Sequence, residues 1–234
     1  MLGLGVYMAY LTWSGDLGNY VNLRFTWVGV VGAGLAMVLT VAVMSARVLR
    51  PYLVGESVHQ HLGHRHQPVG WPALGLLALP LGLGLLVPSQ PLGAAAVTGD
   101  VSFSRGVGEV ATISASGSLE WTVLDWLRMF SLGGPQGRVD GRQADVTGFV
   151  YRREGDPDGH FVLSRFLMVH CTADAYAIGM PVAWTRAEAL SADTWVRVRG
   201  TVRVGSFGGN TLPILDAATV DQRVERPTQA YLYP

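Results

Sequence analysis

Lysine is absent: all seventeen basic residues are arginine, matched by seventeen acids for a net charge of zero. With no basic block there is no electrostatic footprint for a phosphate backbone, so nucleic acid is excluded as a partner. Cysteine is nearly absent too. A single thiol, Cys171, cannot form an internal disulfide and leaves the redox compartment unspecified. No Cys-x-x-Cys pair and no Gly-x-Ser-x-Gly elbow occurs, and Gly106 and Gly108 lack the third glycine and βαβ setting of a dinucleotide fingerprint. His160, beside "DPDG", falls in an exposed hairpin. The chain is therefore expected to be no enzyme, with no catalytic residue and no organic cofactor.

Charge itself is scarce, at 15% of residues against roughly 25% in soluble domains. The shortage is local. Residues 1–99 carry only Asp16, Arg24, Arg47, Arg50, Glu56 and Arg65, and the other 28 charged residues follow them. The division predicts a transmembrane domain over 1–98 and a water-soluble domain over 99–234.

Uncharged runs of 22 and 27 residues, 25–46 and 71–97, are long enough to cross a bilayer core as helices. The spans are expected at 25–48 and 71–88. Pro72 suits a first helical turn, Pro80 a kink and Pro88 the exit. The apolar residues 1–13 reach only about 20 Å as a helix, and they lack the basic start and small-residue cleavage site of a signal peptide. They read as a short first span that is tilted, set in locally thinned bilayer, or shortened by a miscalled start codon. Arg47, Arg50 and Arg65 follow the second span while Arg24 alone precedes it. The positive-inside rule then puts the N-terminus in the cytoplasm and the C-terminal domain outside.

The cytoplasmic loop 56–67 contains His59, His61, His64 and His66. Four imidazoles so closely spaced can share a zinc-like ion, and they equally describe a polar connector.

Beyond residue 100 the pattern turns to short strands, expected at 144–152, 160–170, 177–184, 194–204 and 211–220. "TWVRVRGTV" alternates, with Val196, Val198 and Val202 opposite Arg197 and Arg199. "REGDPDGH" and "SFGGN" are hairpin connectors. "SLEWTVLDWLRMF" predicts a helix capped by Ser118, with Leu119, Val123, Leu127 and Phe130 on one face. The fold class expected is a membrane α-helical part with two full spans and one short one, followed by a mainly-β domain. That domain is read as a small OB-like five-stranded barrel with one short helix, and an open α+β sandwich is the alternative.

The thiol sits in "RFLMVHCTADA". The strand is apolar at nearly every position, hence buried on both faces. Strict alternation would send His170 and Cys171 to opposite faces, so only a bulge or turn before Asp174 would bring them together. His170, Cys171 and Asp174 then read either as a metal site or as a strand end with an inert thiol.

"VTGFVYRREG", "SRFLMVHCTADAYAIGMPV" and "DTWVRVRGTV", with "GDLGNYVNLRF" and the closing "ERPTQAYLYP", resemble the YcgQ-like family of permease subunits. The resemblance covers nearly the whole chain. Its motif positions are Gly148, Phe149, Arg165, Phe166, Asp174 and Trp195, where Arg165 and Asp174 could form a buried ion pair. His170 replaces the first cysteine of the family's Cys-Cys pair, which removes a vicinal disulfide and keeps metal ligation. The resemblance implies an accessory subunit in a bacterial cytoplasmic membrane, set in the lipid bilayer beside a larger polytopic permease and linked to metal-ion homeostasis. The alternatives are a purely structural subunit of another membrane complex and a free-standing metal-binding module.

Overall fold

The computed structural model describes residues 2–53, 70–97, 101–103, 117–133 and 139–234. The His-rich loop 56–67 lies outside the described residues. The chain forms two compact units, Met1–Gln90 and Pro91–Pro234.

The first unit contains α1 (Leu2–Ser14), α2 (Thr26–Leu53) and α3 (Trp71–Leu86). Their directions follow from close contacts. A Cβ at Gly3 would meet Leu81 at 3.0 Å, and the Tyr7 hydroxyl donates to the Gly84 carbonyl at 3.2 Å, so α1 and α3 run parallel. Gly5 packs on Ala33, Ala36 and Met37, while Leu17 packs on Gly29, so α2 runs antiparallel to α1.

Helix α2 exposes Val28, Val30, Val31, Leu35, Val38, Val41 and Met44, the outward apolar surface of a helix made for lipid rather than water. Among the described residues it alone is long and apolar enough to span, over Leu23–Leu49. The flanking helices have 13 and 16 residues, roughly 20 and 24 Å against a ~30 Å core. Pro72 sits in the first turn of α3 as expected, and the helix continues through Pro80.

The second unit contains α4 (Val123–Gly133) and strands β1 (Gln143–Tyr151), β2 (His160–Leu167), β3 (Tyr176–Ala183), β4 (Trp195–Phe207), β5 (Asn210–Asp221) and β6 (Tyr231–Leu232). They form one six-stranded sheet in the order β1-β4-β5-β3-β2-β6, with an additional β1–β2 pairing. The β4–β5 turn takes positive φ at both Gly208 and Gly209, where only glycine is free of Cβ strain. Val196, Val198 and Val202 are buried and Arg197 and Arg199 exposed, as the alternation required.

Strand β2 is buried on both faces because each is covered. Leu163 and Leu167 join a core with Trp126 and Leu127 of α4. Val162, Phe166 and Met168 join a second core with Tyr231, Ile214 and Val101.

Three expectations are corrected here. The sheet has a sixth strand, β6, too short for a periodicity to mark. The second strand stops at Leu167 rather than 170. Ser118 does not cap the helix: its hydroxyl donates to the Gln143 carbonyl, and Leu119 is exposed. Thr122 and Asp125 make the reciprocal cap instead, at 2.8 and 3.3 Å.

Candidate functional site

Past Leu167 the chain leaves β2 and makes a tight turn, Thr172–Asp174 being one turn of 3₁₀ helix. Asp174 organises it. Its carboxylate accepts the backbone N–H groups of Val169 at 3.1 Å, His170 at 2.9 Å and Cys171 at 3.3 Å. The same carboxylate faces Nδ1 of His170 at 2.8 Å. Burial pushes the Asp174 carboxyl up, but the donors of His170, Val169 and Cys171 outweigh it and hold the group below its ordinary value.

Cys171 is half-buried, and its main-chain carbonyl accepts the Asp174 N–H at 3.1 Å. The His170 ring stands out, its side chain 67% exposed. Among the described residues no group of three or more His, Cys, Asp or Glu is placed to hold a metal.

The expected Arg165–Asp174 ion pair does not form. Arg165 is buried, and its guanidinium donates to the main-chain carbonyls of Ala230 at 3.2 Å, Thr147 at 3.4 Å and Gln229 at 2.7 Å. Its charge lies over the Trp195 ring, 5.2 Å from the centroid. Burial lowers its pKa to about 10.

The remaining motif residues surround this arginine. Phe149 stacks on Phe166 at 5.7 Å and meets Trp195 edge-on at 6.0 Å. Phe149 is the ladder partner of Trp195 on β4 and of Ser164 on β2. Gly148 lets those strands meet, because a Cβ there would come within 2.7 Å of the Ser164 carbonyl. Phe166 and Leu167 pair with Tyr231 and Leu232, and the Tyr231 hydroxyl accepts the Leu92 N–H at 2.9 Å.

The motif thus contributes two neighbourhoods: a turn organised by Asp174 and a buried arginine that grips residues 229 and 230. Gln229 and Ala230 were missed as its partners because they act through main-chain carbonyls, which leave no trace in side-chain identity. Ser164 was missed as well; its hydroxyl is fully buried and has no hydrogen-bond partner among the described residues.

Comparison with known proteins bears on the whole chain. Residues 1–100 match the DUF1980 N-terminal domain and residues 121–234 the DUF1980 C-terminal domain. A protein of Streptococcus mutans serotype c, named "Putative two-component membrane permease complex subunit", is 24% identical over 265 aligned positions that cover 96% of this chain and 93% of that protein. The UPF0703 protein YcgQ of Bacillus subtilis is 26% identical over 99 residues, 42% of this chain and 34% of that protein.

Proposed function

The chain belongs to the DUF1980 family, with both the N-terminal and the C-terminal domain of that family, and on that premise we propose that it is an accessory subunit of a membrane permease complex. The observation that carries this reading is the near end-to-end alignment with the streptococcal relative of that name. The long apolar helix α2 supports anchorage in a bacterial membrane. The partner is a larger polytopic membrane protein, and this chain contributes no catalytic step.

In the finer reading all three helices cross the bilayer, α1 and α3 as short spans, with transmembrane residues 1–98 followed by an outward domain at 99–234. The parallel course of α1 and α3 against α2 supports that count, and three arginines to one support the orientation. An OB-like barrel is favoured over an open sandwich by the β1–β2 pairing. With it, the ladder β1-β4-β5-β3-β2 returns to its first strand.

A second reading gives the complex a zinc-like ion. The observation favouring it is the carboxylate on Nδ1 of His170, an arrangement that orients imidazoles for metal through the other nitrogen. Cys171 would be a second ligand, with Asp174 behind His170 rather than on the ion. His59, His61, His64 and His66 would form a separate, adaptable site.

Affinity isolation of the full chain from solubilised membranes, with mass spectrometry and metal analysis of what accompanies it, tests both readings. A stoichiometric polytopic permease component is expected. Isolation of the chain alone, or with an unrelated complex, would overturn the permease assignment.

A further inference from the structure

A cavity of about 220 Å³ opens in the helical unit, lined by Tyr7, Tyr10 and Leu11 of α1, by Asp16, and by the end of α3 up to Ser89. Its electrostatics are one-sided. Because α1 and α3 run parallel, both C-termini point to the same end of the unit, and each presents carbonyls with partial negative charge. Asp16, two residues beyond α1, adds a full negative charge there. Asp16 opens the short 3₁₀ turn Asp16–Asn19, and a cation entering the cavity meets its carboxylate together with the two helix C-termini.

No such cation comes from the chain as described. Asp16 accepts a hydrogen bond from the Ser14 hydroxyl at 2.9 Å, and among the described residues no arginine forms an ion pair with it. It is also the sole acid among the described residues of this unit.

The walls indicate what kind of cation fits. The Tyr7 ring is fixed by its hydroxyl bond to the Gly84 carbonyl and by the bare Cα of Gly84, where a Cβ would lie 2.6 Å from the tyrosine oxygen. Tyr10 adds a second, more exposed ring. One carboxylate is too few for a hard metal ion, which takes several oxygen ligands. Aromatic faces beside a carboxylate suit an organic cation, whose charge can lie on the carboxylate and the ring faces together. The site also lies at the right level: Asn19 donates to Ser89 at 2.7 Å, closing the end of α3 where the apolar run gives way to polar residues.

We propose that this cavity binds an ammonium group at the membrane surface, with Asp16 as counter-ion and Tyr7 and Tyr10 as aromatic walls. The group is supplied by the ethanolamine headgroup of a phospholipid or by a free small ammonium ion. Only the lipid source rests on the membrane reading of the helices.

The test uses the purified full chain in detergent, without any partner protein. Thermal unfolding is followed with tetramethylammonium chloride, with ethanolamine hydrochloride, and with sodium chloride at matched ionic strength. A parallel series adds phosphatidylethanolamine or phosphatidylglycerol to the micelles. An ammonium source is expected to raise the melting temperature saturably above its control. Asp16→Asn should weaken that binding about ten-fold or more, Tyr10→Leu several-fold, and Tyr10→Phe little. A response to the lipid alone identifies a headgroup site, and a response to the soluble ions alone identifies a free cation. If Asp16→Asn does not fold, the exposed Tyr10→Leu decides. No response to either source, or equal binding by the parent and the folded variants, would overturn the proposal. Because no permease partner is present, failure here is distinct from failure of the permease reading.

Discussion

The guanidinium of Arg165 lies over the ring of Trp195, 5.2 Å from its centroid, and its hydrogen bonds go to three carbonyls rather than to a carboxylate. A buried charge held only by dipoles and a π face depends on the planar, five-donor fork of arginine. Lysine cannot reach all three carbonyls. Arg165→Lys is expected to cost about 2 kcal/mol, and Trp195→Leu about 1–2 kcal/mol, in urea unfolding of the detergent-solubilised chain. Full stability in Arg165→Lys would show that the three carbonyls need no guanidinium.

Gly148 tests the neighbouring strand crossing. Its missing Cβ leaves room for the Ser164 carbonyl, and backbone does not yield as a side chain would. Gly148→Ala should destabilise the β domain by about 1–3 kcal/mol, measured by the same unfolding. A neutral effect would mean that β1 and β2 can separate without loss.

The carboxyl of Asp174 has a folded pKa below its ordinary 3.8. A depressed acid contributes stability that is complete above its unfolded pKa and lost as pH falls through the folded one. Melting temperature should therefore drop below about pH 4, and Asp174→Asn should flatten part of that drop. Asp145, lowered chiefly by its bond to Arg197, supplies a further share of the same slope. An identical acid profile in parent and Asp174→Asn would remove the carboxylate from the stability of the turn.

For Cys171 the permease reading without metal expects a loss of about 1 kcal/mol in Cys171→Ala, independent of added zinc. Bound metal would instead stabilise the native state by mass action and release a thiol proton. A zinc-dependent rise in melting temperature, lost in both Cys171→Ala and His170→Ala, would establish the second reading.

Orientation is open to labelling in intact cells. In a Cys171→Ser background, Ser206→Cys should react with an impermeant thiol reagent, while Ser57→Cys should not. The opposite pattern would place the β domain in the cytoplasm.

The strands and the long helix were legible because each bears its own periodicity: alternation marked β4, and an unbroken apolar run marked α2. The reciprocal cap of α4 was written in Thr122 and Asp125, but Ser118, four residues earlier, competed as the same kind of signal. The motif residues Gly148, Phe149, Arg165, Phe166 and Trp195 were recognisable as a set, whereas their geometry was not. Arg165 suggested a carboxylate partner because side-chain chemistry is what a sequence displays; Thr147, Gln229 and Ala230 answer it with peptide carbonyls. Asp174 likewise bonds mainly to backbone N–H groups, and the turn this creates turns His170 out to solvent where strand alternation would have buried it.

The grip of Arg165 on Gln229 and Ala230 spans 64 and 65 positions of chain. During synthesis the arginine leaves the ribosome well before its partners exist. Until they arrive, β2 lacks β6 along its edge and a guanidinium has no acceptors at 229 and 230, so the cores around β2 can close only late.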